Sequence, residues 1–341
     1  MGPAPAEGNA VKAWMTSSFV LLAACGLAAP AERPGAPSTD RTTVIVVVGI
    51  AGSEEYGSLF SDEVLRWEQV SARAGAKFLA IGRNAAGPAS DRDRIRRSLE
   101  AEPKGGLGKL WLVLIGHGTF DGAEAKFNLR GPDVSATDLA VWLRPFHRPL
   151  AVVDTASASA PFLAKLSGPG RVIITATRSG DEQNYARFGQ YFIEALADPL
   201  SDLDKDGEVS LLEAFLSASA RVAEFYKTEG RLATEHPLID DNGDGLGTQP
   251  DWFEGVRAVK KARDGASVDG PLAHQFVLVP SAAEQKLPPE VRAQRDRLEL
   301  AVARLREGKA GLAEDDYYAR LEAILLQLAR LYPQPPAGAE K

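Results

Sequence analysis

Leu110-Trp111-Leu112-Val113-Leu114-Ile115-Gly116-His117-Gly118 is an apolar segment that stops at a histidine between two glycines. Its first six residues are all apolar, which is typical of a central strand covered on both faces of a parallel sheet. Ligands bind at the carboxyl ends of strands in such sheets, so we expect His117 to face a crevice. An imidazole there suits acid or base chemistry near neutral pH, and a structural role is the alternative.

Four more apolar runs lie on both sides of this segment. They are residues 43–49 (TVIVVVG), 77–81, 150–153 and 171–175. Helical patterns separate most of them, including 60–74 and a polar helix over 91–102 with Asp91 as a plausible N-cap. Strands that alternate with helices predict an α/β fold with a mostly parallel sheet flanked by helices.

The strand at 150–153 runs into Asp154-Thr155-Ala156-Ser157-Ala158-Ser159. Taken with the His-Gly strand end, this arrangement resembles the caspase/legumain-type (clan CD) cysteine peptidases over roughly residues 43–226. There, the second strand ends in an acidic or polar residue, a small residue, the nucleophilic Cys, any residue, and Ser-Gly. The resemblance implies a caspase-like domain over 42–280, with His117 as the catalytic histidine and Ala156 at the place of the nucleophile.

The thiol that this chemistry needs is missing, because the only cysteine of the chain is Cys25. Ala156 offers no nucleophilic atom, so the first hypothesis is a pseudo-peptidase that binds a peptide or protein partner. The second is an active hydrolase in which Ser157 is the nucleophile and His117 its base, which requires the two within hydrogen-bond reach. Otherwise, Ser157 and Ser159 serve as caps of the following helix.

Arg178 follows the strand at 171–175. The resemblance implies that an arginine there lines an anionic pocket, as specificity residues do in this peptidase group. The alternative is a surface ion pair with a neighbour such as Asp181 or Glu182.

Residues 202–213 (DLDKDGEVSLLE) match an EF-hand calcium loop. The expected ligands are Asp202, Asp204, Asp206, the Glu208 carbonyl, Ser210 and Glu213, and Gly207 makes the turn at the sixth position. A donor set made only of oxygen favours Ca²⁺ over transition metals. An acidic turn that leads into a helix is the alternative, and a calcium-stabilised structural protein is the third functional hypothesis.

A second stretch has the same spacing at Asp240, Asn242 and Asp244. It departs from the pattern at Gly247, where an apolar residue is expected, and its twelfth position is Asp251. The letters therefore fit either a second calcium loop or a flexible turn.

The N-terminal residues 1–25 combine a short apolar run with Leu22-Ala23-Ala24-Cys25-Gly26. This resembles a bacterial signal peptide with a lipobox, so we expect export and a lipid on Cys25, with simple secretion as the alternative. Residues 26–41 are rich in Pro, Ala and Gly and predict a flexible tether. The predicted location is the cell envelope, with membrane contact only through the anchor.

The last part of the chain, 288–332, predicts an antiparallel helical hairpin. Its second half has apolar residues at spacings of four, three, four and three, namely Tyr317, Leu321, Ile324, Leu328 and Leu331. The net charge of −7 argues against a nucleic acid partner.

Overall fold

A six-stranded sheet with the order β2-β1-β3-β7-β8-β9 forms the centre of the domain. The computed structural model describes residues 1–2, 40–83 and 89–331. The strands of this sheet are β1 (Thr43–Val48), β2 (Lys77–Ile81), β3 (Leu110–Ile115), β7 (Leu150–Asp154), β8 (Arg171–Thr175) and β9 (Leu238–Asp240). The first five are parallel, and β9 pairs antiparallel with β8. The predicted mostly parallel α/β sheet is confirmed.

Strand β3 lies in the middle because it is apolar on both faces. Its six residues are all buried, and Leu112 lies opposite Ile45 of β1 and Val152 of β7. This register brings the ends of β3 and β7 side by side. His117 and Ala156 follow these two strand ends, as the sequence predicts.

Helices cover both faces of the sheet. They are α1 (Glu54–Arg73), α2 (Asp91–Ala101), α3 (Ala136–Leu143), α4 (Ala160–Leu166), α5 (Phe188–Ala197) and α6 (Leu211–Thr228). Apolar side chains of α1, α5 and α6 form one core layer with the sheet, and those of α2, α3 and α4 form the other. Further along lie α7 (Pro271–His274), α8 (Pro289–Glu307) and α9 (Glu314–Leu331).

Two helix starts differ from the expectation. Helix α1 begins at Glu54, because the Ser53 side chain accepts the N–H of Tyr56 at 3.3 Å. Helix α2 is capped by Ser90, whose hydroxyl accepts the N–H of Asp93 at 3.1 Å. The prediction of Asp91 as the N-cap is wrong, because Asp91 is the first residue inside the helix and its carboxylate lies 2.8 Å from Arg94 Nη1.

The short strands are not predicted by the sequence pattern. Besides β9, these are β4 (Gly118–Phe120), β5 (Ala125–Phe127), β6 (Val134–Ser135), β10 (Phe253–Glu254) and β11 (Arg257–Ala258). Strands of two or three residues are too short to display an alternating pattern. The small sheet β4-β5-β6 begins immediately after His117.

The expected C-terminal helical pair is present as α8 and α9, separated by a 3₁₀ turn at Gly308–Gly311. Helix α8 is tied to the domain by the Gln275 amide, which donates to the carbonyl of Asp296 at 2.8 Å. Among the described helices, none is both long and apolar enough to cross a bilayer. Residues 3–25 of the predicted signal peptide, which include Cys25, and residues 26–39 of the predicted tether fall outside the described residues, as does position 332 at the end of the predicted hairpin.

Candidate functional site

His117 lies just beyond β3 among aromatic rings. Its ring centroid is 4.8 Å from that of Tyr56, 5.4 Å from Phe60 and 6.1 Å from Tyr185. Its Nε2 atom is 3.2 Å from the carbonyl oxygen of Ala51. A carbonyl only accepts, so this contact places a proton on Nε2 and leaves Nδ1 as the basic nitrogen of a neutral imidazole.

The position expected for a nucleophile is closed. The Ala156 side chain is 1% exposed and belongs to the core layer that contains Phe127 and Phe162. The His117 ring contacts Tyr56 and Phe60, which belong to the opposite layer. Ala156 therefore acts as a packing residue at the strand end.

The Ser157 hydroxyl is also engaged. Its Oγ accepts the N–H of Gly118 at 3.1 Å and donates to the Gly118 carbonyl at 3.2 Å. The residue is 2% exposed, and no hydrogen bond joins it to His117. The hydroxyl therefore uses both its donor and its acceptor to join the segment after β7 to Gly118, the first residue of β4.

Gly118 makes this contact possible. A Cβ atom at position 118 would lie 2.2 Å from the carbonyl oxygen of Ser157, so no other residue fits without a backbone shift. The second glycine of the Gly-His-Gly segment thus has a packing role beside any role in ligand binding.

The expected capping role of Ser157 and Ser159 does not hold. Ser159 occupies the N-cap position of α4, but its side chain makes no capping bond. Its hydroxyl accepts the N–H of Thr177 at 3.2 Å and pairs with the Thr177 hydroxyl at 3.1 Å. This bond joins the segments that follow β7 and β8.

Two buried carboxyl groups lie beneath this edge. Burial raises the pKa of Asp154 to about 8, and its Oδ1 accepts the N–H of Ala156 at 3.1 Å. Burial, together with the charge of Glu194, raises the pKa of Glu63 to about 8. Glu63 was missed, although it lies on the apolar face of α1, three residues after Phe60 and four before Trp67.

Arg178 forms the surface ion pair that was one of its two expected roles. Its side-chain Nε is 3.4 Å from Glu182 Oε1, and its backbone N–H donates to Glu182 Oε2 at 3.0 Å. Glu182 also contacts His236 Nδ1 at 2.5 Å. His236 was not predicted as part of this edge, because it comes from a distant segment before β9.

The first acidic loop gathers its three aspartates. Asp202, Asp204 and Asp206 offer ligand atoms within 4.8 Å of one another, the one such group of three found in residues 1–2, 40–83 and 89–331. Burial raises the pKa of Asp206, and the charges of Asp204, Glu213 and Asp202 raise it further. A donor set of carboxylate oxygens that repel one another fits a hard divalent cation.

Two of the other expected ligands, Glu213 and Ser210, are held by hydrogen bonds within the protein. Glu213 accepts the N–H of Leu203 at 2.7 Å and the N–H of Ser210 at 2.8 Å, and with Ser210 it forms the capping box of α6. At Glu208 the expected ligand is the backbone carbonyl, and the side-chain carboxylate, which is not an expected ligand, accepts the N–H of Ser281 at 2.5 Å. His274, which the sequence did not indicate, lies 2.9 Å from Asp204 Oδ2.

The second acidic loop repeats the internal hydrogen bonds of the first. In the first loop, Asp202 accepts N–H groups at loop positions four and six, Asp204 the one at five and Asp206 the one at seven. In the second loop, Asp240, Asn242 and Asp244 accept N–H groups at the same four positions.

The backbone repeats as well. Positions four and six have positive φ in both loops, at Lys205 and Gly207 in the first and at Gly243 and Gly245 in the second. The two loops therefore share one local conformation, although their eighth and twelfth residues differ.

The second loop is further fixed by two buried aspartates that the sequence analysis did not single out. Asp241 accepts the N–H groups of Gly270 at 2.9 Å and Ala273 at 2.7 Å. Asp269 accepts the N–H of Asp241 at 2.9 Å in return. These reciprocal bonds hold the loop against the segment that leads into α7.

No family model matches the chain, and no curated protein matches it. Among solved structures, it is similar to caspase-1 of Spodoptera frugiperda, with 12% identity and a TM-score of 0.40 over 62% of this chain and 92% of that one. It is also similar to the Drosophila initiator caspase Dronc, with 13% identity and a TM-score of 0.42 over 62% of this chain and 84% of that one. A protein of Geobacter sulfurreducens matches with 12% identity and a TM-score of 0.39 over 61% of this chain and 98% of that one. Similarity at this level says nothing of activity.

Proposed function

We propose that this chain is a peptidase-like binding protein without peptidase activity. The observation that carries the proposal is the state of the two candidate nucleophile positions. Ala156 has no nucleophilic atom, and the Ser157 hydroxyl is engaged on both sides by the backbone of Gly118. A hydroxyl needs a base in hydrogen-bond reach to become a nucleophile, and Ser157 has none.

The binding surface is the edge of the sheet around His117. The rings of Tyr56 and Tyr185 flank the imidazole. Ile50 is 44% exposed and immediately precedes Ala51, whose carbonyl contacts His117. Arg178, half exposed, supplies a positive charge next to Glu182, which also contacts His236. These groups suit a peptide or protein segment with an apolar or aromatic side chain followed by an acidic one.

Calcium binding at 202–213 is the second part of the proposal. Asp202, Asp204 and Asp206 would hold the ion, and it would stabilise the start of α6. The repeated hydrogen bonds of the second loop favour a weaker site at Asp240, Asn242 and Asp244. Export and lipidation at Cys25 complete the proposal and put the binding edge at the cell envelope.

Peptide hydrolysis tests the first part directly. The full chain and its Ser157→Ala variant are incubated with a library of peptides that contain Arg, Asn or Asp before the scissile bond, and the products are read by mass spectrometry. We expect no cleavage by either protein. Cleavage by the wild type that Ser157→Ala abolishes would establish a serine hydrolase and overturn the proposal.

Binding is measured on the same library by retention on the immobilised chain. We expect His117→Ala and Arg178→Glu to lower retention by roughly ten-fold or more, as for residues at the centre of an interface. His147→Ala is the matched control, because His147 precedes β7 and lies at the opposite edge of the parallel sheet. Equal losses in all three variants, or no retained peptide, would contradict a binding edge at His117.

A further inference from the structure

Helices α8 and α9 leave most of their apolar surface uncovered. They contain 19 and 18 residues, yet Val302 is the one buried residue of α8 and Tyr317 the one buried residue of α9. Helices of this length are marginal alone and gain most of their stability from packing an amphipathic face. The contact between α8 and α9 buries too few of their apolar side chains to supply that stability.

The uncovered surface is continuous along the outer face of α9. It is lined by Tyr318, Leu321, Glu322, Leu325, Leu326 and Ala329. Tyr318 and Leu326 are each 50% exposed and Leu325 is 46% exposed. These residues recur at helical spacing, so they form one stripe of a helix about 27 Å long.

The charges on α9 determine which orientation a second copy of this helix would take against the stripe. Its first turn carries Glu314, Asp315 and Asp316, and its last turn carries Arg330. A parallel copy would place acidic turn against acidic turn and Glu322 beside its equivalent. An antiparallel copy places the acidic turn opposite Arg330, and it also aligns the helix dipoles favourably.

A lipid surface fits this stripe less well. The helices that lie in membrane interfaces carry Lys and Arg along the polar face. Helix α9 has four acidic residues and only two basic ones, Arg320 and Arg330. Anionic headgroups would repel the net negative charge of this helix.

We propose that a second copy of this chain covers the stripe, with α9 packed antiparallel against α9 of the partner about a two-fold axis. Pairing about an axis between Ala323 and Ile324 sets Tyr318 opposite the small Ala329 and Leu321 opposite Leu326. Such pairing is self-complementary, as a two-fold interface requires. The two helical pairs together then form a four-helix bundle that buries the stripe. This interface is independent of any ligand at the His117 edge.

Sedimentation equilibrium of the full chain in a Cys25→Ser background tests the assembly. We expect a concentration-dependent dimer. Leu325→Glu with Leu326→Glu raises the dimer dissociation constant by about a hundred-fold or more, because both leucines are central to the stripe. Leu232→Glu is the matched control, since Leu232 is 90% exposed outside these helices and its replacement leaves the dimer intact. Circular dichroism confirms that each variant is folded.

Orientation is tested by disulfide trapping in the same background, which has no other cysteine. We expect a mixture of the Tyr318→Cys and Ala329→Cys proteins to cross-link between the two variants, and Tyr318→Cys alone to cross-link poorly. A monomer at every concentration, a dimer that survives both glutamates, or preferential cross-linking of Tyr318→Cys with itself would overturn the proposal.

Discussion

Glu63 is a carboxyl group in the core next to the candidate site. Its neighbours Phe60 and Trp67 are buried in the same layer, and in the part of the chain that the structure describes Glu63 Oε2 has no hydrogen-bond partner. Burial raises its pKa from 4.5 to about 8, so the native protein keeps the proton near neutral pH. An unfolded chain would release that proton above about pH 4.3.

The consequence for stability has a definite sign. Between these two pKa values the native state binds one more proton at Glu63 than the unfolded state does. This group therefore favours the native state most at low pH, and its contribution falls by at most about 1.4 kcal/mol for each pH unit up to about 8.

We expect Glu63→Gln to remove this dependence, so that the variant gains stability relative to the wild type as the pH rises from 5 to about 8. Urea unfolding at several pH values measures it, and Asp62→Asn, an exposed neighbour on the same helix, is the control. Equal slopes for the wild type and Glu63→Gln would mean that Glu63 is ionised in the native state.

At the residue scale, the sequence located the groups that a motif places at a strand end. His117 was located because an apolar run stops just before it, at the carboxyl end of a predicted strand. Ala156 was singled out by the resemblance of residues 154–159 to a peptidase motif. Glu63, His236 and His274 were not, because each reaches its neighbours from a distant element and no local pattern specifies that pairing. Only the position of Glu63 on an apolar helix face gave a usable signal.

At the scale of elements, the acidic loop and α6 behave as one unit. Glu213 accepts two N–H groups of the loop, from Leu203 and Asp204, and also closes the capping box with Ser210. A change in the loop is therefore transmitted to the first turn of α6. Because Glu213 already has this capping role, its substitution lowers stability even without metal.

Calcium binding should change the thermal stability of the protein. We expect the melting temperature of the wild type to rise when Ca²⁺ replaces chelator, because binding to the native state alone stabilises by about 2.7 kcal/mol at a hundred-fold excess over the dissociation constant. Asp206→Asn and Glu213→Gln should each reduce that increment, whatever they do to the melting temperature in chelator.

Glu224→Gln, on the exposed face of the same helix, should leave the calcium increment unchanged. Differential scanning fluorimetry and titration calorimetry measure it. A wild type that melts at the same temperature with Ca²⁺ and with chelator would leave the loop as an acidic turn that caps α6.

At the scale of the whole molecule, the long strands and helices followed from periodicity alone. Apolar runs that alternate with helices predict the parallel direction of β1, β2, β3, β7 and β8, whereas the order β2-β1-β3-β7-β8 comes from the structure. The antiparallel β9 and the small sheet β4-β5-β6 did not follow, since their short strands exist through pairing with distant segments rather than through local pattern. The bonds of Ser157 to Gly118 were likewise invisible, because they join two strand ends 39 positions apart.

We propose that Cys25, which lies outside the described residues, determines the cellular position of the molecule. We expect mass spectrometry of the mature protein to find lipid on an N-terminal Cys25, and Cys25→Ser to move the protein from the envelope fraction to the soluble one. One acyl chain binds membranes only weakly, so stable anchoring requires more than one chain on this residue. Ser18→Ala, inside the apolar run, is the matched control and should leave the fractionation unchanged. A mature N-terminus near Pro30 without lipid would contradict anchoring and leave simple secretion.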